Sequence, residues 1–374
     1  MPFSVPSGIP DFREIAAPKR EVDILRRALQ LVQRCVPDTW SWHVQEAVRR
    51  GDVQLDALAR LDAPDGTSAT LVFEVKRLLT ARDASGAVQL LREMIADADV
   101  PSPLPIMVAR YLAPSTRERL EQEGVGYADA TGNLYVALDR PALFVRNAGA
   151  DHDPWRGPGR PRGTLKGAPA ARVVRALVDF FPPYSVPELM ERSQVSSGAA
   201  YRVMKFLEEE ALVQRTPRGP ITEVVWRPLL ERWSQDYGFQ RSDVVQSFLF
   251  PRGVETLLSA LSSLANNDDY VLTGSLAAQN YAPYAPPRLA MLYVSDMPSF
   301  CERLGLRAVD KGANVMLAAN SDDVSFARSQ QISGVRMAAP SQIAVDLLTG
   351  PGRMPSEAQA LMNWMEANED AWRR

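Results

Sequence analysis

Asp56, Glu74 and Lys76 combine residue types and spacing that suit chemistry on a phosphate ester. In the extended run Val72-Phe73-Glu74-Val75-Lys76, alternation puts Glu74 and Lys76 on one face and Phe73 and Val75 on the other. A hairpin with the preceding strand brings Asp56 alongside. Two carboxylates can hold a Mg²⁺ ion against a phosphate, and the ammonium can orient water or offset developing charge. The same Glu-x-Lys pattern on an edge strand also reads as plain solvated charge.

A second set of residues suits contact with a polyanion. From Trp155 to Gly219 the chain carries eleven Lys/Arg against six Asp/Glu, a net of +5, whereas the whole chain of 374 residues is −3. Positive charge confined to one segment points to one binding face, and double-stranded DNA is the expected partner. Ser196, Ser197, Tyr201, Arg202 and Lys205 form the outward face of an amphipathic helix, whose inward face carries Val203, Phe206 and Leu207. Arg215 and Arg218 sit at the tip of a two-strand turn just beyond it. Arg160, Pro161, Arg162 and Lys166 lie in a Gly/Pro-rich stretch upstream.

These residues need elements to hold them. Residues 19 to 34 have helical apolar spacing. Strand-like runs follow at about 39–47, 52–60 and 70–77, with Ala63-Pro64-Asp65-Gly66 turning between the last two. A helix at about 85–98, a buried strand at 104–112, a helix at 114–123 and strands near 126–130 and 134–138 complete a first domain, 1–149. Residues 150–167 form a basic linker, as its Gly and Pro content and lack of an apolar run require. Helices are expected at about 168–181, 185–193 and 196–211. Pro182-Pro183 stops the first, and Ser185 with Glu188 forms a capping box that starts the second. With the wing that follows, these make a winged helix-turn-helix over 168–226. A third α/β domain, 227–374, includes strands at 269–273 and 289–294.

Cys35 and Cys301 form no CxxC or Cys/His pattern, so they are expected as buried free thiols. Only His43 and His152 are present, which disfavours catalysis on a histidine base. The absence of a long apolar run and of a signal-like start predicts no membrane contact and a cytoplasmic location.

The order of elements over residues 19–112, with Asp56 and Glu74-Val75-Lys76, resembles the core of PD-(D/E)XK nucleases. That resemblance implies catalytic roles for Asp56, Glu74 and Lys76, with Asp56 and Glu74 as Mg²⁺ ligands. Gly159-Arg160-Pro161-Arg162 resembles an AT-hook, in which extended arginine enters a narrow A·T minor groove. Tyr270-Val-Leu-Thr273-Gly274-Ser275 looks like the strand-to-helix turn of nucleotidyltransferase folds. The expected metal-binding strand, Arg288 to Val294, contains no Asp or Glu, and Asp296 comes singly and late, so a degenerate domain without cofactor is expected. The winged helix, this turn and Val345-Asp346-Leu-Leu-Thr-Gly350-Pro-Gly-Arg353 together resemble AbiEi-type antitoxins and related regulators.

The first expectation is therefore a sequence-selective transcriptional regulator. Its winged helix lies in the major groove, and the linker lies on the backbone or minor groove. The nuclease-like domain serves as a scaffold that contacts DNA or dimerises the chain. The alternatives are a Mg²⁺-dependent nuclease directed by the winged helix, or an antitoxin-like protein that binds a partner protein through its third domain.

Overall fold

A computed structural model describes residues 17–18, 20–155, 164–217, 219–242, 244–264, 269–319 and 323–374. Arg160, Pro161, Arg162 and Arg218 lie outside the described residues. The chain divides into two compact units, one of Met1–Pro161 with Glu209–Ala211, the other of Arg162–Glu208 with Leu212–Arg374.

The first unit runs α1 (Glu21–Gln33), β1 (Ser41–Arg50), β2 (Val53–Asp62), β3 (Ser68–Lys76), α2 (Ala81–Asp97), β4 (Pro103–Ala109), α3 (Pro114–Gln122), β5 (Gly126–Asp129), β6 (Leu134–Leu138) and β7 (Leu143–Asn147). The seven strands pair in sequence order. The β3–β4 and β4–β5 pairs are parallel and the others antiparallel. Helical spacing in α1 buries Ile24, Leu25, Ala28, Leu29 and Val32 against Leu71, Phe73 and Val75 of β3 and Ile106 and Val108 of β4. The opposite pleat of the same strands supplies Val72, Met107 and Ala109 to a second core beneath α2, with Ala84, Val88 and Leu91. Each such Leu or Val contributes about 1.5–3 kcal/mol by leaving water, so the alternation fixes which face Glu74 and Lys76 share. The β2–β3 turn follows its sequence. Gly66 takes φ +82°, and the Asp65 carboxylate accepts the Thr67 amide at 2.9 Å. Strand β4 stops at Ala109, earlier than its apolar run suggests, because Pro114 opens α3 a few residues on. The edge strand β7 is short and largely open, with Leu143 and Val145 packed against the core and Phe144 exposed between them.

The second unit begins with three helices, α4 (Ala168–Asp179), α5 (Val186–Ser193) and α6 (Ser197–Glu209), followed by the antiparallel pair β8 (Val213–Arg215) and β9 (Ile221–Val224). Then come α7 (Trp226–Ser234), α8 (Phe239–Ser242), β10 (Val245–Leu249), α9 (Leu257–Ser262), β11 (Tyr270–Thr273), α10 (Gly274–Ala278), β12 (Ala290–Val294), α11 (Met297–Leu304), β13 (Arg307–Ala308), β14 (Val315–Ala319), β15 (Gln330–Ile332), β16 (Val335–Met337), α12 (Pro340–Leu348), α13 (Met354–Ala367) and α14 (Glu369–Trp372). Strands β10–β16 make a mixed sheet in the order β13-β10-β14-β12-β11-β16-β15. The capping box is present, with Ser185 Oγ accepting from the Glu188 amide and Glu188 accepting from the Ser185 amide at 2.6 Å.

One apolar core runs without interruption from Leu165 to Trp372, so residues on either side of 226 share it. Trp226 meets Trp372 edge-on at 5.2 Å, and the Phe181 amide donates to the Arg374 carbonyl at 2.7 Å. Cys35 and Cys301 are free and only half-buried, because each lies at the margin of its core rather than inside it. No helix among the described residues is long and apolar enough to cross a membrane.

Candidate functional site

The first unit brings Asp56, Glu74 and Lys76 together where two strands part. The β2–β3 ladder ends at Ala57 opposite Phe73. Beyond it, β3 continues only against β4, as far as Lys76 opposite Ala109, and β2 continues only against β1. The parting coincides with a local kink in β1–β2. Ala47 has φ +49°, and the ladder skips Ala47 and Asp56 between the pairs Glu46–Ala57 and Val48–Leu55. The Val75 amide, which no longer meets a strand carbonyl on that side, donates instead to Asp56 Oδ2 at 2.8 Å. This bond fixes the Asp56 carboxylate beside Glu74.

Glu74 is 8% exposed, and its Oε1 accepts from Lys76 Nζ at 2.7 Å. Burial raises the Glu74 pKa, and the negative charge of Asp56 raises it further, while Lys76 pulls it back. Asp56 Oδ2 takes the Val75 amide and Glu74 Oε1 takes Lys76, and the two carboxyl groups also share a hydrogen bond that helps to raise the Glu74 pKa. Two close, partly desolvated carboxyls that share a proton become a hard donor set once that proton leaves, of the kind that holds Mg²⁺ or Mn²⁺. Among the described residues no group of three or more His, Cys, Asp or Glu converges on a metal position. Mg²⁺ ordinarily takes one or two carboxylates and completes its shell with water and substrate phosphate, so the pair fits that ion.

Asp129, at the end of β5, is nearly fully buried, yet its chemistry is spent inside the fold. Its carboxylate accepts from the Leu112, Thr131 and Asn133 amides and from the Thr131 and Asn133 side chains.

In the second unit, α6 turns Ala199, Ala200, Val203, Met204 and Leu207 inward. Ser196, Ser197, Tyr201, Arg202 and Lys205 are exposed, and Tyr201 is 50% open. Arg202 Nε donates to the Gly198 carbonyl at 3.1 Å, which holds the guanidinium along the helix. Lys166 is also exposed. Arg215, in β8, is paired with Glu208, so its charge is partly offset. Arg192 is a cation that the sequence reading passed over. It lies over the rings of Phe180 and Tyr184 at 4.5 and 4.8 Å, a contact between positions too far apart for spacing to show.

The Thr273-Gly274-Ser275 turn joins β11 to α10 as its pattern implies. Strand β12 is wholly buried and bears no carboxylate, while Asp296 caps α11 by accepting the Ser299 amide at 3.1 Å. Asp346 lies inside a closed network. It accepts from Thr273 Oγ1 at 2.6 Å, Tyr293 Oη at 2.8 Å and Gln342 Nε2 at 3.0 Å. Arg175 of α4 extends this network by donating to Gln342 Oε1 at 2.9 Å and to Asp179 Oδ2 at 3.0 Å.

No family model matches the chain, and no curated protein matches it. Among solved structures, it is similar to the crystal structure of a repair endonuclease from Pyrococcus abyssi, at 15% identity and a TM-score of 0.22, over 31% of this chain and 49% of that one. It is also similar to a structure of an EndoMS-dsDNA2 complex, at 20% identity and a TM-score of 0.21, over 32% of this chain and 48% of that one. EndoMS in apo form matches at 19% identity and a TM-score of 0.19, over 30% and 47%. The match spans about half the length of each of these structures. The chain is a mixed α/β protein of two units with a distant similarity, over about 30% of its length, to these three structures.

Proposed function

We propose that this protein is a divalent-metal-dependent nuclease of double-stranded DNA. Its second unit binds the duplex as a winged helix, with α6 as the recognition helix. The observation that carries the reading is the meeting of Asp56, Glu74 and Lys76 at the parting of β2 and β3. The order α4-α5-α6-β8-β9, with a cationic exposed face on α6, supports the second half.

Asp56 and Glu74 are the residues that would hold the metal. When bound, Mg²⁺ supplies Lewis-acid polarisation of the phosphate and a more acidic water. The protein's own contributions follow from the geometry. The Val75 amide keeps the Asp56 carboxyl aimed. Glu74 must lose its proton before it can ligate, which its raised pKa defers to higher pH. Lys76 Nζ, half-exposed and tied to Glu74, is placed to orient the attacking water or to offset charge on the phosphate. On the second unit, Arg202 and Lys205 meet phosphates and base edges, while Arg192 is held by its two aromatic rings as a further phosphate contact.

A specific observation favours a second reading, regulation without cleavage. The segment from 155 to 219 carries +5 of a chain total of −3, so the rest of the chain carries −8 and does little to attract a phosphate to the first unit. Incubation of supercoiled plasmid and short duplexes with Mg²⁺ or Mn²⁺ separates the two. The nuclease reading expects cleavage that falls at least about a hundredfold in Glu74→Gln, with duplex binding retained. Intact DNA under every metal condition, with sharp binding, establishes the regulator instead.

A further inference from the structure

Leu78 is 76% exposed, more than any other large apolar side chain among the described residues. It lies in the turn between β3 and α2, two residues past Lys76, so its Cα is within about 7 Å of the Lys76 Cα. The turn is pinned on both sides of it. Leu79 is 4% exposed and Ala81 5%, Leu79 packs into the core beneath α2, and Thr80 Oγ1 donates to Asp83 Oδ2 at 2.8 Å. The backbone therefore buries one leucine and presents its neighbour to solvent, forgoing the burial of the Leu78 side chain. Arg77, immediately before it, is exposed as well.

An isolated open leucine needs no explanation in general. This one stands on a fixed turn, directly after an exposed arginine and two residues past Lys76 of the candidate site. Leucine is among the side chains that enter a duplex between base steps, unstacking them and kinking the helix axis. We infer that Leu78 is a wedge that enters the base stack of duplex DNA held at the Asp56–Glu74–Lys76 site, with Arg77 on the adjoining phosphate. This rests on the nuclease reading above and deepens it. It makes deformable duplex the preferred substrate, because flexible pyrimidine–purine steps cost least to unstack.

The test is unwinding, measured without cleavage. Relaxed plasmid is incubated with the full-length protein and a metal-independent topoisomerase in EDTA, then stripped of protein and resolved by its topoisomers. Wild type is expected to shift the topoisomer ladder towards lower linking number. Leu78→Ala should abolish the shift while binding duplex within about threefold of wild type, because phosphate contacts dominate affinity. Leu78→Met, equally apolar, should keep it. If wild type binds plasmid without shifting the ladder, or Leu78→Ala shifts it equally, the wedge is wrong and DNA binding stands. If Leu78→Ala instead changes the oligomeric state of the free protein, the side chain is a protein contact and the wedge is wrong. Failure of wild type to bind duplex at all overturns the wedge together with the reading it rests on.

Discussion

Each unit buries a carboxyl group whose pKa is raised by desolvation, Glu74 in the first and Asp346 in the second, and the two differ in what remains unspent. Asp346 is fully enclosed. Burial lifts its pKa to about 7 even though Thr273, Tyr293, Gln342 and Arg175 all favour the ionised form. Its two oxygens take three side-chain hydrogen bonds, and those donors are themselves bonded onward, Tyr293 to Tyr237 at 2.8 Å and Gln342 to Arg175. Such a network holds α12 to α4 and to the sheet, and it has no room for a ligand. Glu74 has one charged partner, the half-exposed Lys76, and a second carboxyl beside it that works against its ionisation through charge and a shared hydrogen bond. A raised pKa alone therefore does not mark a site. A carboxyl pair beside an accessible cation does.

The largest effect that would sharpen this contrast is on stability. Arg175→Ala removes the bidentate partner of Asp179, which is buried at 2% exposure and keeps the more distant Arg328 at 4.0 Å and the Ser341 hydroxyl, and it takes a donor from Gln342. It is expected to cost about 3–5 kcal/mol in chemical denaturation, because breaking one side of a buried pair strands the other charge. Lys76→Ala, at the half-exposed end of the other site, should leave the midpoint nearly unchanged. Equal losses for the two variants would erase the distinction between network and site.

The next effect is on binding. Arg202→Ala with Lys205→Ala should weaken specific duplex affinity at least about tenfold in a gel-shift titration, since each contact is commonly worth about 1–3 kcal/mol. Unchanged affinity would remove α6 from the DNA-binding face.

The smallest effect is a slope. A carboxyl whose folded pKa is raised contributes stability that is present below its unfolded value and lost as pH rises through the folded one. For Asp346 that window runs from about 4 to about 7. Asp346→Asn should therefore flatten the change of unfolding free energy between pH 5 and pH 8 relative to wild type. A slope identical to wild type would show that Asp346 does not titrate in that window.

Much of the scaffold was legible because local chemistry decides it. Alternation set β2 and β3, the Pro182-Pro183 stop and the Ser185–Glu188 box delimited α4 and α5, and spacing predicted the open face of α6. The parting of β2 from β3 was not legible. It coincides with Ala47 at positive φ, where nothing in the residue type announces a left-handed backbone. The roles of Asp346 and Arg192 were hidden for a different reason. Asp346 meets Thr273 from 73 positions away, outside any local window, and Arg192 reaches Phe180 and Tyr184 across the α4–α5 junction, whose turn sets the contact rather than any helical spacing. Strand β7 offers only the short run Leu143-Phe144-Val145, and the margins of the cores at Cys35 and Cys301 depend on packing that composition does not report.

The central claim is that Asp56 and Glu74 form a metal-binding pair, and it can be tested without DNA. Electron paramagnetic resonance of Mn²⁺ distinguishes free from bound ion as the protein is titrated. The account predicts one Mn²⁺ bound per chain, lost in Asp56→Asn and in Glu74→Gln and retained in Asp346→Asn. It also predicts that binding tightens as pH rises, because Glu74 must give up a proton whose pKa burial has raised. No bound Mn²⁺, or binding that survives both the Asp56 and Glu74 substitutions, would contradict it.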